Sequence, residues 1–164
     1  MPTLHDTPVT EAEAQELLTE YFEMRAVGFA DQNIRYTATF PAADVFTRPA
    51  GVFVVLRDDE GEPVGCGGIR RIPDGPAGVR YEVKHLYLRP QTRGRGWGRV
   101  LIAGLKERAV ELGAAELVLD THHTLEAAAG LYRATGFTEI ERFNDNPNAT
   151  RWYGKPIAPE SAAG

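Results

Sequence analysis

Arg93-Gly94-Arg95-Gly96-Trp97-Gly98-Arg99 joins a strand-like stretch, Tyr81 to Leu88, to a helix-like one, Val100 to Leu112. Glycines at alternate positions strip the Cβ atoms from one short turn, and the N–H groups that open the helix have no partners inside it. The turn is therefore an anion cradle, and Arg93, Arg95 and Arg99 can add charge-assisted hydrogen bonds to phosphate oxygens. A phosphorylated ligand is the expectation. A Walker A loop would end in Gly-Lys-Ser/Thr, and a dinucleotide fingerprint would read Gly-x-Gly-x-x-Gly with an acidic residue about twenty positions on; this turn does neither.

The strand before the turn alternates. Tyr81, Val83, His85 and Tyr87 fall on one face, and Glu82, Lys84, Leu86 and Leu88 on the other. Before it, Val52 to Leu56 and Val64 to Ile72 read as a hairpin about Asp58-Asp59-Glu60-Gly61, with a second turn at Pro73 to Gly78. Further back, Thr10 and Glu13 form a capping box, and Ala14, Leu17, Leu18, Tyr21 and Met24 share a helical face. That helix is expected from Glu11 to Val27, stopped by Gly28, with Asp31 to Pro49 a loop that has room for a short helix. After the turn come the helix with Leu101, Leu105, Ala109 and Leu112, stopped by Gly113, and a strand from Ala115 to Leu119. A full helix between these strands makes them parallel. Glu126 to Ala134 reads as a helix, Phe137 to Phe143 and Arg151 to Ile157 as strands, and Ala158 to Gly164 as a loose tail. The fold class is α/β with a mixed α+β sheet: a central, mostly antiparallel sheet with a parallel pair, flanked by helices.

The chain has 164 residues, 43% hydrophobic and 25% charged, which fits a single domain over 1–164 with its core at about 11–157. A net charge of −5 disfavours a general nucleic-acid binder. Charge is uneven, however. The first thirty-two residues set Asp6, Glu11, Glu13, Glu16, Glu20, Glu23 and Asp31 against Arg25 alone, whereas Arg89, Arg93, Arg95, Arg99, Lys106 and Arg108 face only Glu107. Such a basic island suits a compact polyanion. Cys66 is alone, so no intramolecular disulfide forms, and Met1 to Pro8 lacks the basic and apolar blocks of a signal peptide. With no apolar run near the ~20 residues of a membrane span, a cytoplasmic protein with no membrane partner is expected. One Cys and scattered His do not supply four converging ligands, so no metal is expected.

The Arg-x-x-Gly-x-Gly pattern of Arg93, Gly96 and Gly98 resembles the pyrophosphate loop of the GNAT family of N-acetyltransferases, and Ala128-x-x-Leu131-Tyr132-x-x-x-Gly136-Phe137 resembles a second signature of that family in the right order. The resemblance runs from about Glu11 to Ile157 and implies the GNAT-type acyl-CoA N-acyltransferase fold, with acetyl-coenzyme A as cosubstrate. By that resemblance Arg93, Gly94, Arg95, Gly96, Trp97, Gly98 and Arg99 hold the diphosphate, and backbone groups around Leu86 and Leu88, where family members splay one strand from the next, hold the pantetheine arm. It also implies transfer of an acetyl group to a primary amine by direct attack in a ternary complex. The acceptor, a small molecule or a peptide, stays open, as does a homodimer. Longer acyl groups such as succinyl, a non-catalytic acyl-coenzyme A sensor and an Arg-Gly RNA-binding segment are the alternatives.

Two residues carry the expected proton transfers. Family tyrosines at the position of Tyr132 lie near the coenzyme sulfur; a thiolate whose acid has a pKa of about 8.5 leaves more easily when a phenol near ~10 shares its proton. Glu82 precedes Arg93 by the eleven positions found in histone-type relatives. A carboxylate there can deprotonate an amine whose pKa is about 10, directly or through water. One departure stands out: many relatives place Asn seven residues before the tyrosine, and this chain has Leu125, with His122, His123 or Thr124 as nearby polar substitutes. Cys66, among glycines and with no legible base, reads as a small buried residue.

Overall fold

The computed structural model describes residues 1–31 and 40–157. Its sheet has seven strands: β1 (Thr3–Asp6), β2 (Gly51–Arg57), β3 (Pro63–Gly75), β4 (Gly78–Leu88), β5 (Glu116–Thr121), β6 (Thr138–Glu139) and β7 (Arg151–Pro156). They lie in the order β1-β2-β3-β4-β5-β7-β6, and only β4 and β5 run parallel. Among the described residues three helices accompany them: α1 (Ala12–Asp31), α2 (Trp97–Glu111) and α3 (Glu126–Ala134). This is the mixed sheet with one parallel pair that the sequence pattern implies.

The continuous apolar run of β2 is explained by burial on both faces. Val52 and Val54 join a core with Leu101 and Leu105 of α2, while Phe53 and Val55 join another with Leu17, Leu18 and Phe22 of α1. Strand register then decides which polar residues share the α1 face. Arg70 pairs with Glu82, Glu82 with Val118, and Asp120 with Trp152. Paired residues point the same way and alternate residues return to the same face, so Arg70, Glu82, Lys84 and Asp120 are brought together.

Several expectations are corrected. Helix α1 runs through Gly28, whose φ is not left-handed, to Asp31. A helical glycine costs about 1 kcal/mol, and Phe29, 1% exposed and 4.7 Å from the His122 ring, offsets it by burial. The Glu13 carboxylate accepts from Arg57 at 2.7 and 2.8 Å, so it does not close the expected box with Thr10. The polar start contains β1, an edge strand held by backbone pairing with β2, by Leu4 against the core and by Asp6 to Arg48 and Arg108. The Pro73–Gly78 turn narrows to Pro76-Ala77, because β3 and β4 continue as strands on either side. Helix α2 begins three residues earlier than expected, inside the glycine turn. The Phe137–Phe143 strand shrinks to Thr138–Glu139, since the chain then turns away and carries Asn144 to Asp120. A 3-10 turn at Ala43–Phe46 is the short helix the loop had room for. Residues 32–39 of that loop, and the expected tail, lie outside the described residues.

The largest correction is in β4. Register slips between Cys66–Tyr87 and Gly68–Lys84, leaving His85 and Leu86 opposite Gly67, and His85 takes φ 57°. This bulge breaks the expected alternation. His85 and Tyr87 turn toward the α1 core with Cys66, while Leu86 and Leu88 move to the α2 side with Tyr81 and Val83. Among the described residues, no helix is long and apolar enough to cross a membrane.

Candidate active site

Beyond Glu82–Val118 the parallel ladder of β4 and β5 stops, so the two strands separate just where the bulge begins. A cleft of about 940 Å³ opens there. At one end lie Arg93, Gly98 and Leu101; Leu86, Leu88, Leu119 and Tyr132 line its middle; Arg70, Lys84, Asp120 and Asn144 line the far end under α1.

The glycine turn has the geometry its sequence implies. Gly94 and Gly96 have φ 81° and 76°, and a Cβ at either would meet nothing within 4 Å. Gly96 is the left-handed residue before α2, so the first N–H groups of a fifteen-residue helix open onto this turn. Gly98 differs: a Cβ there would lie 2.9 Å from Leu131 Cδ2, so this glycine lets α2 and α3 approach. The basic island is divided in use. Arg89 is bound to Glu20 at 2.6 and 2.9 Å and to Glu16 at 3.2 Å, and Arg108 to Asp6 at 2.6 Å. Arg93, Arg95 and Arg99 are exposed and have no ion pair among the described residues; Arg95 stacks on Trp97 at 5.2 Å. The turn therefore presents its charge to solvent.

Tyr132 is 7% exposed, its ring set against Phe137 and Tyr153, each at 6.0 Å between centroids. Burial pushes its phenol well above the ordinary value of 10, which keeps the proton on it at neutral pH. Leu125 precedes α3 and offers no side-chain cap. The neighbouring polar groups are spent on one another, His122 Nδ1 on Thr124 Oγ1 at 2.7 Å and His123 Nδ1 on Thr150 Oγ1 at 2.9 Å.

Tyr132 lines the cleft, and Glu82 sits just behind its wall, paired to Arg70 and near Lys84, which do line it. The Glu82 side chain has no exposed surface. Its carboxylate accepts from Arg70 Nε at 2.9 Å and from Asn144 Nδ2 at 3.4 Å, with Lys84 Nζ 3.8 Å away. Burial raises its pKa above the ordinary 4.5, and Lys84 and Arg70 pull against that rise. Asp120, which sequence reasoning passed over, is the carboxylate that lines the cleft beside Glu82. It accepts from Asn144 at 2.6 Å and Asn146 at 3.2 Å, and Trp152 Nε1 fixes Asn144 by donating to its Oδ1 at 2.9 Å. The Asn144–Asn148 turn so becomes part of the site. No local sequence signal marks Arg70 or Asp120; only strand register places them beside Glu82.

Cys66 is fully buried behind His85, its Sγ 3.5 Å from the His85 carbonyl oxygen, and burial pushes its thiol up. A buried protonated thiol is a poor nucleophile. Among the described residues no group of three or more His, Cys, Asp or Glu could hold a metal ion.

The sequence matches the model of the acetyltransferase (GNAT) family over residues 12–137. It is 33% identical over 131 residues to an uncharacterised N-acetyltransferase of Schizosaccharomyces pombe, covering 80% of this chain and 78% of that one. Its fold is similar to an acetyltransferase of the GNAT family from Staphylococcus aureus, with TM-score 0.75, 17% identity and coverage of 95% and 99% of the two chains. It is also similar to a phosphinothricin acetyltransferase of Sinorhizobium meliloti in complex with AcCoA, with TM-score 0.69, 23% identity and coverage of 99% and 91%. A glycine turn opening a helix, two strands that part beside it, a buried tyrosine lining the cleft and the match across most of the chain agree: this chain belongs to the GNAT acetyltransferase family and is an acyltransferase.

Proposed function

We propose that the protein transfers the acetyl group of acetyl-coenzyme A to a primary amine by direct attack, with both substrates in one cleft. The observation that carries this reading is the continuity of that cleft, from Arg93 and Gly98 past Leu86, Leu88 and Tyr132 to Asp120. The residues fit the coenzyme: the turn's left-handed glycines and its arginines without ion pairs among the described residues suit a diphosphate, and the separated edges of β4 and β5 suit an extended amide-bearing arm. When bound, acetyl-coenzyme A supplies an acyl thioester.

The chain's own residues then handle protons. Tyr132 holds its proton at Oη and releases it toward the departing sulfur. Glu82 accepts the amine proton through an intervening water, because its carboxylate is covered by Arg70 and Asn144. Asp120 at the cleft wall draws in the ammonium form of the acceptor. Glycine turn, strand edges and phenol orient; the buried carboxylate makes the nucleophile. A panel of amines with acetyl-coenzyme A, followed by thiol release, tests the reading, and a parallel panel of longer acyl donors tests the acyl group. Coenzyme A binding without release from any donor and amine would leave a sensor and overturn catalysis.

A further inference from the structure

The far end of the cleft holds more cationic donors than its carboxylates use. Glu82 fixes Arg70 through Nε alone, and Arg70, whose side chain is 39% exposed, makes no hydrogen bond from its two terminal nitrogens among the described residues. Lys84 Nζ lies 3.8 Å from Glu82 and 3.9 Å from Asp120, beyond hydrogen-bond length from both. Asp120 in turn is held by two asparagines. The α1 side is mostly apolar, with Arg25 its one charged residue among those described: Phe22 and Phe40 pack at 4.9 Å between centroids, and Met24 and Phe40 stay 37% and 48% exposed where they line the cleft.

Resting on the acetyl-transfer reading, we propose that the acceptor is an amino acid with a large apolar or aromatic side chain. Its carboxylate sits on the terminal nitrogens of Arg70 and on Lys84, its amine faces Asp120, and its side chain lies against Phe22, Phe40 and Met24. The chemistry is complementary group by group. A guanidinium fork with free donors recognises a carboxylate, and a short carboxylate-to-cation separation in the protein matches the short amine-to-carboxylate separation of an α-amino acid. Polyamines and aminoglycosides, which are polycations, meet the wrong sign at Arg70 and Lys84.

The test uses the full chain, acetyl-coenzyme A and a matched set: phenylalanine, phenylalaninamide, phenethylamine and alanine. Phenylalanine should exceed phenylalaninamide and phenethylamine in kcat/KM by about ten- to hundredfold, the worth of one or two charge-assisted hydrogen bonds, and should exceed alanine. Arg70→Gln should move the phenylalanine-to-amide ratio toward one, a comparison in which the amine's intrinsic reactivity cancels. Because Arg70 also pairs with buried Glu82, Lys84→Met serves as the second variant and should lower the same ratio. Equal use of the amide or of phenethylamine by the unaltered protein, or an unchanged ratio in both folded variants, overturns the carboxylate subsite and leaves acetyl transfer standing. Thiol release with no member of the wider amine panel overturns acetyl transfer and this proposal together.

Discussion

Gly96 and Gly98 sit two residues apart and answer to different neighbours. Gly96 needs its left-handed φ of 76° in open space, whereas Gly98 needs room beside Leu131. Gly96→Ala should therefore cost about 1–2 kcal/mol from backbone strain alone, equally in wild-type and Leu131→Ala backgrounds. Gly98→Ala should lose most of its cost when Leu131 is also Ala. Thermal unfolding of the two glycine variants, Leu131→Ala and the two double variants checks both. Glu82 is the second residue with a sharp expectation. Burial raises its pKa above 4.5, so the acid limb of kcat/KM should lie above that value, and Glu82→Gln should lose most rate at low pH, where free amine is scarce. The pH profile of the variant measures this, and a loss independent of pH would remove Glu82 as the base.

The edge strand β1 and helix α2 are fitted to each other through a missing side chain. A Cβ on Gly104 would run into Leu4 Cδ1. Glycine to alanine inside a helix ordinarily stabilises by about 1 kcal/mol. Here Gly104→Ala should destabilise, and Leu4→Ala should restore the ordinary sign, as read by denaturant unfolding of the double variant.

The bulge in β4 carries a prediction of its own. Burial, with Lys84 and Arg70 beside it, lowers the His85 pKa from 6.5 to about 3. The folded state thus keeps the ring neutral; its contribution is full above pH 6.5 and is lost as pH falls toward 3. His85→Asn, which tolerates the left-handed backbone, should flatten the fall of unfolding free energy over that window relative to wild type. An equally steep fall in the variant would mean that His85 titrates normally.

These elements also mark how far the sequence could be read. The glycine turn, the parallel β4–β5 pair and the α3 span were legible because local signals and burial agree there: left-handed glycines, a helix between strands, Gly136 after a periodic segment. The bulge was only faintly legible: two polar residues, Lys84 and His85, followed by the apolar Leu86-Tyr87-Leu88, interrupt the alternation, but where the register slips is decided by pairing with β3. The carboxylate cluster was half legible for the same reason. Glu82 could be placed by its spacing from Arg93, but Arg70, Asp120 and Asn144 reach it only through pairing across β3, β4, β5 and β7. Phe29 overrode the Gly28 stop through a tertiary contact that no local pattern announces.

Across the chain as a whole, charge is sorted by use. Arg89 ties the end of β4 to α1 through Glu16 and Glu20, and Asp6 gathers Arg48 and Arg108 onto β1. Exposed pairs of this kind contribute little stability each, but they occupy the cations that would otherwise spread the basic island. Among the described residues, Arg93, Arg95 and Arg99 at the glycine turn have no ion pair, and at the inner end of the cleft Arg70 keeps its two terminal nitrogens free of hydrogen bonds while pairing with Glu82 through Nε. Between them lies Tyr132, while the buried Cys66 does not line the cleft.

If acyl donor and amine meet in this single cleft and react without an acyl-enzyme, initial rates measured while both substrates are varied will show it. Wild type should give intersecting double-reciprocal lines, Cys66→Ala should give the same pattern, and mass spectrometry should find no acetylated protein. Parallel lines, together with an acetylated side chain that passes its acetyl group to the amine, would refute direct transfer.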